Sequence, residues 1–424
     1  MLKKLRSGAL QFTVFIGLLI ALLLGALVLY AYTFYYMKEQ AKGTVAMIQL
    51  SNFGIDYVMT SFLVSSDTVF VPLQEEANKS IQVQLSPWGV FEKAHSKAHF
   101  RSKHFVKTAI IGGKFSTETT PVLYLQETQN ALSLVGNTVI KGAVFLPLQG
   151  VKTGYIAGNS FYGARLIDGV IEQSKTSLPP LSKNVLASLD ELFKLDPSVQ
   201  QEAEVVNPAK SSVYSFQATT KYWVSKKPIV LENVSTTGNM IIKSAQQIIV
   251  KASAHLKDVI LVAPIVIIEK GTKGIFQVLA SKQITVQKNC ELSYPSSVVL
   301  YQEEWDTSQR NTSDSVINQI FIDTGTLIKG VVLYYNKKEV NNFETAIKIE
   351  SGVTVKGQVY CNGNIDLQGT VSGSVLTKQF VANQAGSIYV NHIYNGKIYN
   401  DDLPSTYGGL LFEQQPKTIM KWLY

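Results

Sequence analysis

The side chains that could do chemistry are thinly spread along this 424-residue chain. Hydrolysis of a glycosidic bond needs two carboxyl groups that face each other across the substrate. In the strand-rich part of the chain the carboxylates stand apart, without an Asp-x-Asp pair or other acidic cluster; they are Asp258, Glu269, Glu291, Asp323, Glu350 and Asp366. Walker and dinucleotide-binding fingerprints are also missing from the sequence. These patterns predict no catalytic residues, no cofactor and no enzyme.

A serine nucleophile is also unsupported. The segment Gly158-Asn159-Ser160-Phe161-Tyr162-Gly163 is one residue too long for the GxSxG nucleophile elbow and follows no clear strand. We interpret it as a turn. Its aromatic residues, with Tyr155, either pack locally or contact a sugar or peptide. In the C-terminal tail, Asp401 and Asp402 are adjacent, so their side chains are expected to point apart in a solvated turn.

A short basic segment alternates with period two. Its basic residues fall on one face of a strand and its small or apolar residues on the other. The basic face holds Lys93, His95, Lys97, His99, Arg101 and Lys103. The two histidines would be about 13 Å apart on a strand, so they cannot share a metal ion, and we predict no metal site. We interpret the face either as solvated or as a contact for lipid headgroups or an anionic surface polymer, through Lys93, Lys97, Arg101, Lys103 and Lys107.

The net charge of +8 is concentrated in two places. Lys3, Lys4 and Arg6 supply three positive charges, and the five basic residues between 93 and 107 supply the rest, so the remaining chain is neutral overall. A nucleic-acid-binding surface would need basic residues along the fold. The charge pattern therefore argues against a nucleic-acid partner.

The two cysteines, Cys290 and Cys361, allow at most one internal disulfide. An exported protein could form that bond, and two buried free thiols are the alternative. The sequence has no CxxC or Cys/His metal-ligand spacing.

The element that would position the whole chain is an uncharged run from Ser7 to Met37. About 20 apolar residues suffice for a membrane-spanning helix. The basic residues before the run favour a cytoplasmic N-terminus. A cleaved signal peptide is the alternative, but its apolar core is shorter and ends in small residues, whereas this run ends in tyrosines. We predict a single-pass protein of a bacterial inner membrane, with membrane lipid as a partner and its body in the periplasm.

The start of the chain, Lys4-Leu5-Arg6-Ser7-Gly8-Ala9-Leu10, and the apolar helix that follows resemble type IV pilin-like and pseudopilin proteins over residues 4–36. In that family a basic leader is cut after a glycine and the apolar helix packs into a filament. The resemblance implies cleavage between Gly8 and Ala9. Thr13 occupies the position where the family usually has glutamate.

From about residue 122, short β-branched segments recur with a glycine between them. Four of these segments place their glycine at Gly142, Gly330, Gly357 and Gly373. Other alternating strands begin at Ile248, Ile265, Ile284, Ile347 and Ile365, with starts 17, 19, 63 and 18 residues apart. The recurring spacing of 17–19 residues favours a β-solenoid (β-helix), in which coils stack to share a core. An antiparallel sandwich is the alternative. Residues 320–390, with Asn362-Gly363-Asn364-Ile365-Asp366-Leu367, resemble the coils of bactofilins.

The predicted fold is thus mainly β, with a single N-terminal transmembrane helix, a small α/β or β region and a β-solenoid with insertions. We place the leader and span at 1–37, and a membrane-proximal helix and β region at 38–121. The solenoid is predicted at 122–400, with insertions at about 165–228 and 302–318. The tail, 401–424, is expected to cap the stack.

Three functions remain open from the sequence. The first is a non-enzymatic, membrane-anchored envelope protein whose solenoid is a scaffold or binding surface, with envelope proteins or polysaccharide as partners. The second is a pseudopilin-like component of a type II secretion or type IV pilus-like machine. The third is a carbohydrate-active β-helix enzyme, which would need carboxylates that converge across coils. The sequence does not indicate an oligomeric state.

Overall fold

The computed structural model describes residues 8–60, 67–73, 79–101, 103–116, 120–194, 204–205, 211–303, 318–338, 342–401, 403–404 and 406–423. By internal contacts the chain divides into two units. The first comprises Met1–Tyr57, Thr68–Val83 and Ser96–Lys107, and the second comprises Val58–Asp67, Gln84–His95 and Thr108–Tyr424. The basic leader lies outside the described residues.

The described elements are two helices and thirty strands, so the protein is mainly β. The helices are α1 (Gly8–Thr60) and α2 (Lys183–Lys194). The strands before α2 are β1 (Val69–Phe70), β2 (Lys79–Trp88), β3 (Phe91–Phe100), β4 (Lys103–Lys114), β5 (Leu123–Leu125), β6 (Leu132–Val135), β7 (Val139–Ile140), β8 (Val144–Leu146), β9 (Val151–Thr153) and β10 (Ile171–Gln173).

The strands after α2 are β11 (Glu204–Val205), β12 (Ser211–Tyr214), β13 (Lys221–Ser225), β14 (Ile229–Leu231), β15 (Ser235–Gly238), β16 (Met240–Ser244), β17 (Gln247–Val250), β18 (His255–Ile268), β19 (Lys273–Val286), β20 (Glu291–Gln302), β21 (Gln319–Ile322), β22 (Leu327–Asn336), β23 (Thr345–Ile349), β24 (Thr354–Leu367), β25 (Thr370–Gln384), β26 (Ser387–Val390), β27 (His392–Tyr394), β28 (Lys397–Tyr399), β29 (Gly408–Gly409) and β30 (Lys417–Leu423).

Helix α1 has two different halves. Residues 8–39 are exposed on every side, although most are apolar. From residue 40 one face becomes buried, with Met47, Ser51, Gly54 and Ile55 recurring three or four positions apart. The helix is long and apolar enough to span a membrane. The expectation that the helix continues beyond residue 37 is confirmed as far as Thr60.

An antiparallel sheet follows α1. Its strand order is β1-β2-β3-β4-β29, and β30 also pairs with β4. Strand β3 shows the alternation expected from the sequence, with Ala94, Ser96 and Ala98 buried and the basic residues between them partly exposed. The strand ends earlier than the pattern suggests, because Arg101 takes a positive φ of 56° and turns the chain. Lys103 therefore begins β4.

Most of the remaining strands form one closed sheet. Apart from the antiparallel pair β25–β26, its pairings among the described residues are parallel, and similar residues stack into columns. One column runs through β13, β16, β18, β19, β20, β22, β24, β25, β5, β8 and β10, and contains Trp223, Ile242, Leu261, Val278, Val298, Val332, Val359, Val375, Leu123, Val144 and Ile171. The alternative of an antiparallel sandwich is wrong for this part of the chain, because these pairings are parallel.

The interior of the closed sheet is apolar. The column residues from Ile242 to Val144 belong to one buried cluster, together with a second column made of Ile248, Val266, Ile284, Ile320, Ile347, Ile365 and Phe380. Partly buried aromatic residues such as Phe161 and Trp223 pack against this cluster near its two ends. Burial of stacked Val and Ile side chains supplies the main stabilising term of such an arrangement.

The order of strands in space differs from their order in the chain. The strand β25, near the C-terminus, pairs in parallel with β5, and β8 and β10 continue the column. Residues 122–173 therefore stack onto the last C-terminal strands. The predicted insertion at 165–228 includes described strands that pair in parallel: β10 pairs with β8, β11 with β13 and β12 with β15. The parallel pairing is therefore not interrupted over the whole of that range.

A second apolar cluster covers one outer face of the closed sheet. It joins sheet residues such as Leu279, Leu333 and Tyr360 to Val185 and Leu189 of α2. The tail residues Leu410, Leu411 and Met420 complete this layer. Strands β29 and β30 pair antiparallel with β4. The tail thus lies along a face of the sheet, which corrects its expected role as an end cap. The predicted insertion at 302–318 falls almost entirely outside the described residues.

Candidate membrane-contact and binding sites

The predicted basic surface is divided by the fold. Lys93 is half-buried, with its ammonium 5.3 Å from the ring centre of Trp88 and 5.9 Å from that of Phe216. Burial lowers the pKa of Lys93 to about 8. A half-buried ammonium held against aromatic rings is less accessible to an anionic surface than the exposed basic residues of this segment.

The remaining basic residues lie on two faces. Lys103 donates to Gln40 Oε1 and Lys107 donates to Asn52 Oδ1, both on α1. Ser51 Oγ donates to the Ser96 carbonyl at 3.3 Å, which places the small-residue face of β3 against the same helix. Because side chains alternate along a strand, Lys97 lies on the opposite face. The five predicted residues therefore do not form one row.

The histidines of this region are separated in the way that the sequence predicts. His95 Nδ1 is 3.0 Å from Thr108 Oγ1, whereas the His99 ring lies 5.9 Å from that of His104. Burial, and then the charges of Lys97 and His104, lower the pKa of His99. Across the described ranges, no group of three or more His, Cys, Asp or Glu side chains could hold a metal ion.

The fold brings together two carboxylates that the sequence does not pair. The Lys337 ammonium lies 2.5 Å from Asp190 Oδ1 and 3.0 Å from Glu303 Oε1, so helix α2 and the end of β20 meet at this lysine. Tyr301 Oη also donates to Asp190, at 2.8 Å. Burial alone would raise the pKa of Asp190, but the hydrogen bonds from Lys337 and Tyr301 outweigh it and lower that pKa.

Asp190 lacks the property that a general acid needs. In glycoside hydrolysis one carboxyl group must stay protonated, which requires a raised pKa. Asp190 is instead held ionised between a cation and a hydroxyl group. The rings of Phe193, Tyr301 and Tyr335 stack in parallel beside it, with centres 5.9 and 5.8 Å apart. The arrangement fits a structural clamp between α2 and the sheet.

One carboxyl group in the described ranges does have a raised pKa. Burial raises the pKa of Asp366 to about 6. Gln368 Nε2 donates to its Oδ1 at 3.4 Å, and its Oδ2 has no hydrogen-bond partner among the described residues. The charge of Lys348 lowers this pKa and that of Glu350 raises it, and the Lys348 ammonium lies 2.6 Å from Glu350 Oε1. The neighbouring carboxylate is thus paired with a lysine.

Both cysteines are buried free thiols. Cys290 Sγ donates to the Glu269 carbonyl at 3.1 Å. Cys361 of β24 pairs with Tyr334 of β22, and Tyr334 pairs with Leu300 of β20, the strand that begins directly after Cys290. The two cysteines are therefore at least two strand spacings of about 4.8 Å apart. This separation exceeds the Cα distance of about 7 Å that a disulfide tolerates. The disulfide that the sequence allowed is therefore not formed in this structure.

The turn predicted around Ser160 is confirmed. Ile156 and Asn159 form an antiparallel bridge around Ala157 and Gly158, both with positive φ. Phe161 packs against the interior cluster, whereas Tyr155 and Tyr162 are exposed by 65% and 57%. The serine has no histidine or carboxylate among its contacts in the described ranges.

Comparisons with known proteins do not extend this picture. No protein-family model matches the chain. The searches of curated proteins and of solved structures likewise give no match.

Proposed function

We propose that this chain is a non-enzymatic envelope protein, held in a membrane by α1, whose closed parallel sheet is a scaffold or binding surface. The observation that supports this most is the contrast within α1. The apolar half at residues 8–39 has no protein packed around it, whereas the half from residue 40 onward buries one face. Exposed apolar surface of this length is stable in lipid and unstable in water.

We also infer that the closed sheet is a β-solenoid, as expected from the recurring glycines. Three observations support this: the parallel pairing, the unbroken columns of like residues, and the long strands that contribute to more than one column. Strand β18, for example, pairs with β15, β16 and β17 at successive segments of its length. A rod of stacked coils offers a long outer surface for partners.

The scaffold proposal predicts that the protein does not cleave envelope polysaccharides. The full chain in nanodiscs would be incubated with peptidoglycan and with neutral and acidic polysaccharides, and new reducing ends would be measured. We expect a rate no higher than that of Asp190→Asn, because the ionised Asp190 cannot act as an acid. Hydrolysis that is lost in Asp190→Asn or Glu303→Gln would contradict the proposal and favour the carbohydrate-active enzyme.

A second candidate function is a pilin-like subunit of a secretion or pilus machine. The observation that favours it is the division of α1 into an exposed apolar half and a half packed on an antiparallel sheet. An all-round apolar helix can pack among like helices as well as in lipid.

The mass of the native protein distinguishes the two candidates. In the organism that makes it, the chain would be extracted from membranes and its intact mass measured. The pilin-like hypothesis predicts a chain that begins at Ala9, which removes the three basic leader residues. The permanently anchored protein predicts a chain that retains the leader. A mixture of masses that changes with assembly state would indicate that cleavage accompanies filament formation.

A further inference from the structure

The turn between β3 and β4 presents a cluster of basic side chains, which we call the basic tip. Its members are Lys97, His99, Arg101, Lys103 and His104. Arg101, Lys103 and His104 are exposed, and the other two are partly exposed. All five belong to the first unit of the chain, as do α1 through Tyr57 and the start of β2.

The basic tip is fixed against one short stretch of α1. The Phe100 ring lies beside Gly43, where an added Cβ would be 3.6 Å from the ring. Lys103 donates to Gln40. The Arg101 guanidinium lies 5.1 Å from the centre of the Phe100 ring, so a cation–π interaction holds Arg101 beside Phe100. The basic tip therefore has a defined position along the axis of α1, close to Gln40 and Gly43.

That position coincides with the end of the apolar half. Residues 8–37 of a straight helix are about 45 Å long, which matches a bilayer with its headgroup layers. Gln40 and Gly43 follow Met37 by three and six residues, or about 5 and 9 Å. If α1 crosses a membrane, as proposed above, the basic tip lies at the outer edge of the headgroup layer, within reach of the long lysine and arginine side chains.

The charge at this level is positive. The described residues of the first unit carry the carboxylates Glu39 and Asp56, against the cations Lys38, Lys42, Lys79, Lys97, Arg101, Lys103 and Lys107. Glu39 is paired with Lys42 at 3.0 Å. Lys79 adds a cation over the Phe100 ring, 5.8 Å from its centre. Clustered cations beside a membrane span attract acidic headgroups.

We propose that the basic tip binds the phosphate groups of anionic phospholipids beside α1 and forms a second attachment of the protein to the membrane. The proposal rests on the proposed membrane anchor. It selects Lys97, Arg101 and Lys103 from the five basic residues predicted by sequence. Lys93 is half-buried against aromatic rings and Lys107 is half-buried where it meets Asn52, whereas Lys103 is exposed beside Gln40. The occupant is lipid because the tip is joined to the apolar helix at the outer edge of the headgroup layer.

The test uses the full chain in detergent, offered equimolar phosphatidylglycerol and phosphatidylcholine, with bound lipids counted by native mass spectrometry. We expect the wild type to prefer phosphatidylglycerol at least tenfold. Each of the three cations is expected to contribute a factor of about five to this preference. The triple variant Lys97→Gln, Arg101→Gln, Lys103→Gln should therefore lose most of it. A matched control, Lys141→Gln, Lys152→Gln, Lys397→Gln, removes three exposed lysines from the second unit and should behave as wild type.

Flotation with phosphatidylcholine vesicles separates the two proposals. A wild-type chain that floats but has no preference for phosphatidylglycerol, or a triple variant that keeps it, overturns the lipid-binding role of the tip alone. A wild-type chain that does not float overturns the membrane anchor and this inference with it. Tighter binding of soluble polyphosphate than of phosphatidylglycerol, lost in the triple variant, would assign the tip to an anionic polymer and overturn the lipid proposal.

Discussion

Replacing Leu19 and Leu23 with arginine is expected to remove the protein from the membrane. Both side chains are exposed, by 46% and 62%, and lie four residues apart on α1, near the middle of its apolar half. Arginine at the centre of a membrane span costs about 2.5–3.5 kcal/mol per residue on insertion scales. The measurement is the fraction of protein that resists carbonate extraction.

Phe53→Arg is the matched control for this variant. Phe53 lies on the same helix, is 50% exposed and follows Met37, the last residue of the uncharged run, by 16 residues, so the control should remain in the membrane. The double variant should appear in the soluble or degraded fraction. If it stayed in the carbonate-resistant fraction at the wild-type level, α1 would not be the element that holds the protein there.

Gly357→Ala is expected to destabilise the closed sheet more than any exposed substitution. Gly357 stacks between Gly330 and Gly373 in register, with φ of 147°. An added Cβ would lie 1.9 Å from the Gly330 carbonyl oxygen, so two backbones would have to separate. The strained φ and the overlap together predict a loss of roughly 3 kcal/mol or more in the free energy of unfolding.

Gly271→Ala isolates the contribution of backbone conformation. Gly271 also has a positive φ, 77°, but nothing lies within 4 Å of an added Cβ. Its expected loss is about 1–2 kcal/mol. Both variants would be compared with wild type by denaturant unfolding of the full chain in detergent. Equal losses for the two variants would show that close approach between strands does not constrain the glycine column.

The recurring glycines are the feature of the fold that the sequence predicted best. Gly142, Gly330, Gly357 and Gly373 all have positive φ, as expected for residues that turn the chain where strands approach closely. The alternation of the basic segment also predicted the two faces of β3, with Ala94, Ser96 and Ala98 on the face that is buried. These features are local, because each depends on the conformation of one residue or the period of one strand.

The outer apolar layer could not be predicted in the same way. Residues such as Leu333 and Tyr360 alternate with interior residues along their strands. A period-two pattern therefore indicates that their side chains point away from the interior, but it does not indicate which elements cover them. The covering elements, α2 and the tail, lie far away in sequence. The pairing of β25 with β5 joins residues about 250 positions apart. A local period in the sequence cannot predict a strand pairing over this distance.

The basic tip shows a similar limit. Alternation placed Lys93 to Lys103 on one strand, but the turn at Arg101 carries neither glycine nor proline to signal it. The burial of Lys93 also depends on Phe216, more than a hundred residues away. The carboxylates at Lys337 were missed for the same reason, since Asp190 and Glu303 meet only because α2 packs on the sheet.

Protease accessibility in spheroplasts tests the anchored arrangement most directly. The full chain would carry an epitope tag at its N-terminus and be exposed to protease outside the intact inner membrane. We expect the body to be digested while a fragment with the tag and the apolar half of α1 is protected. A fully protected body, or loss of the tag without disruption of the membrane, would contradict the proposal that α1 crosses the membrane and presents the closed sheet on its far side.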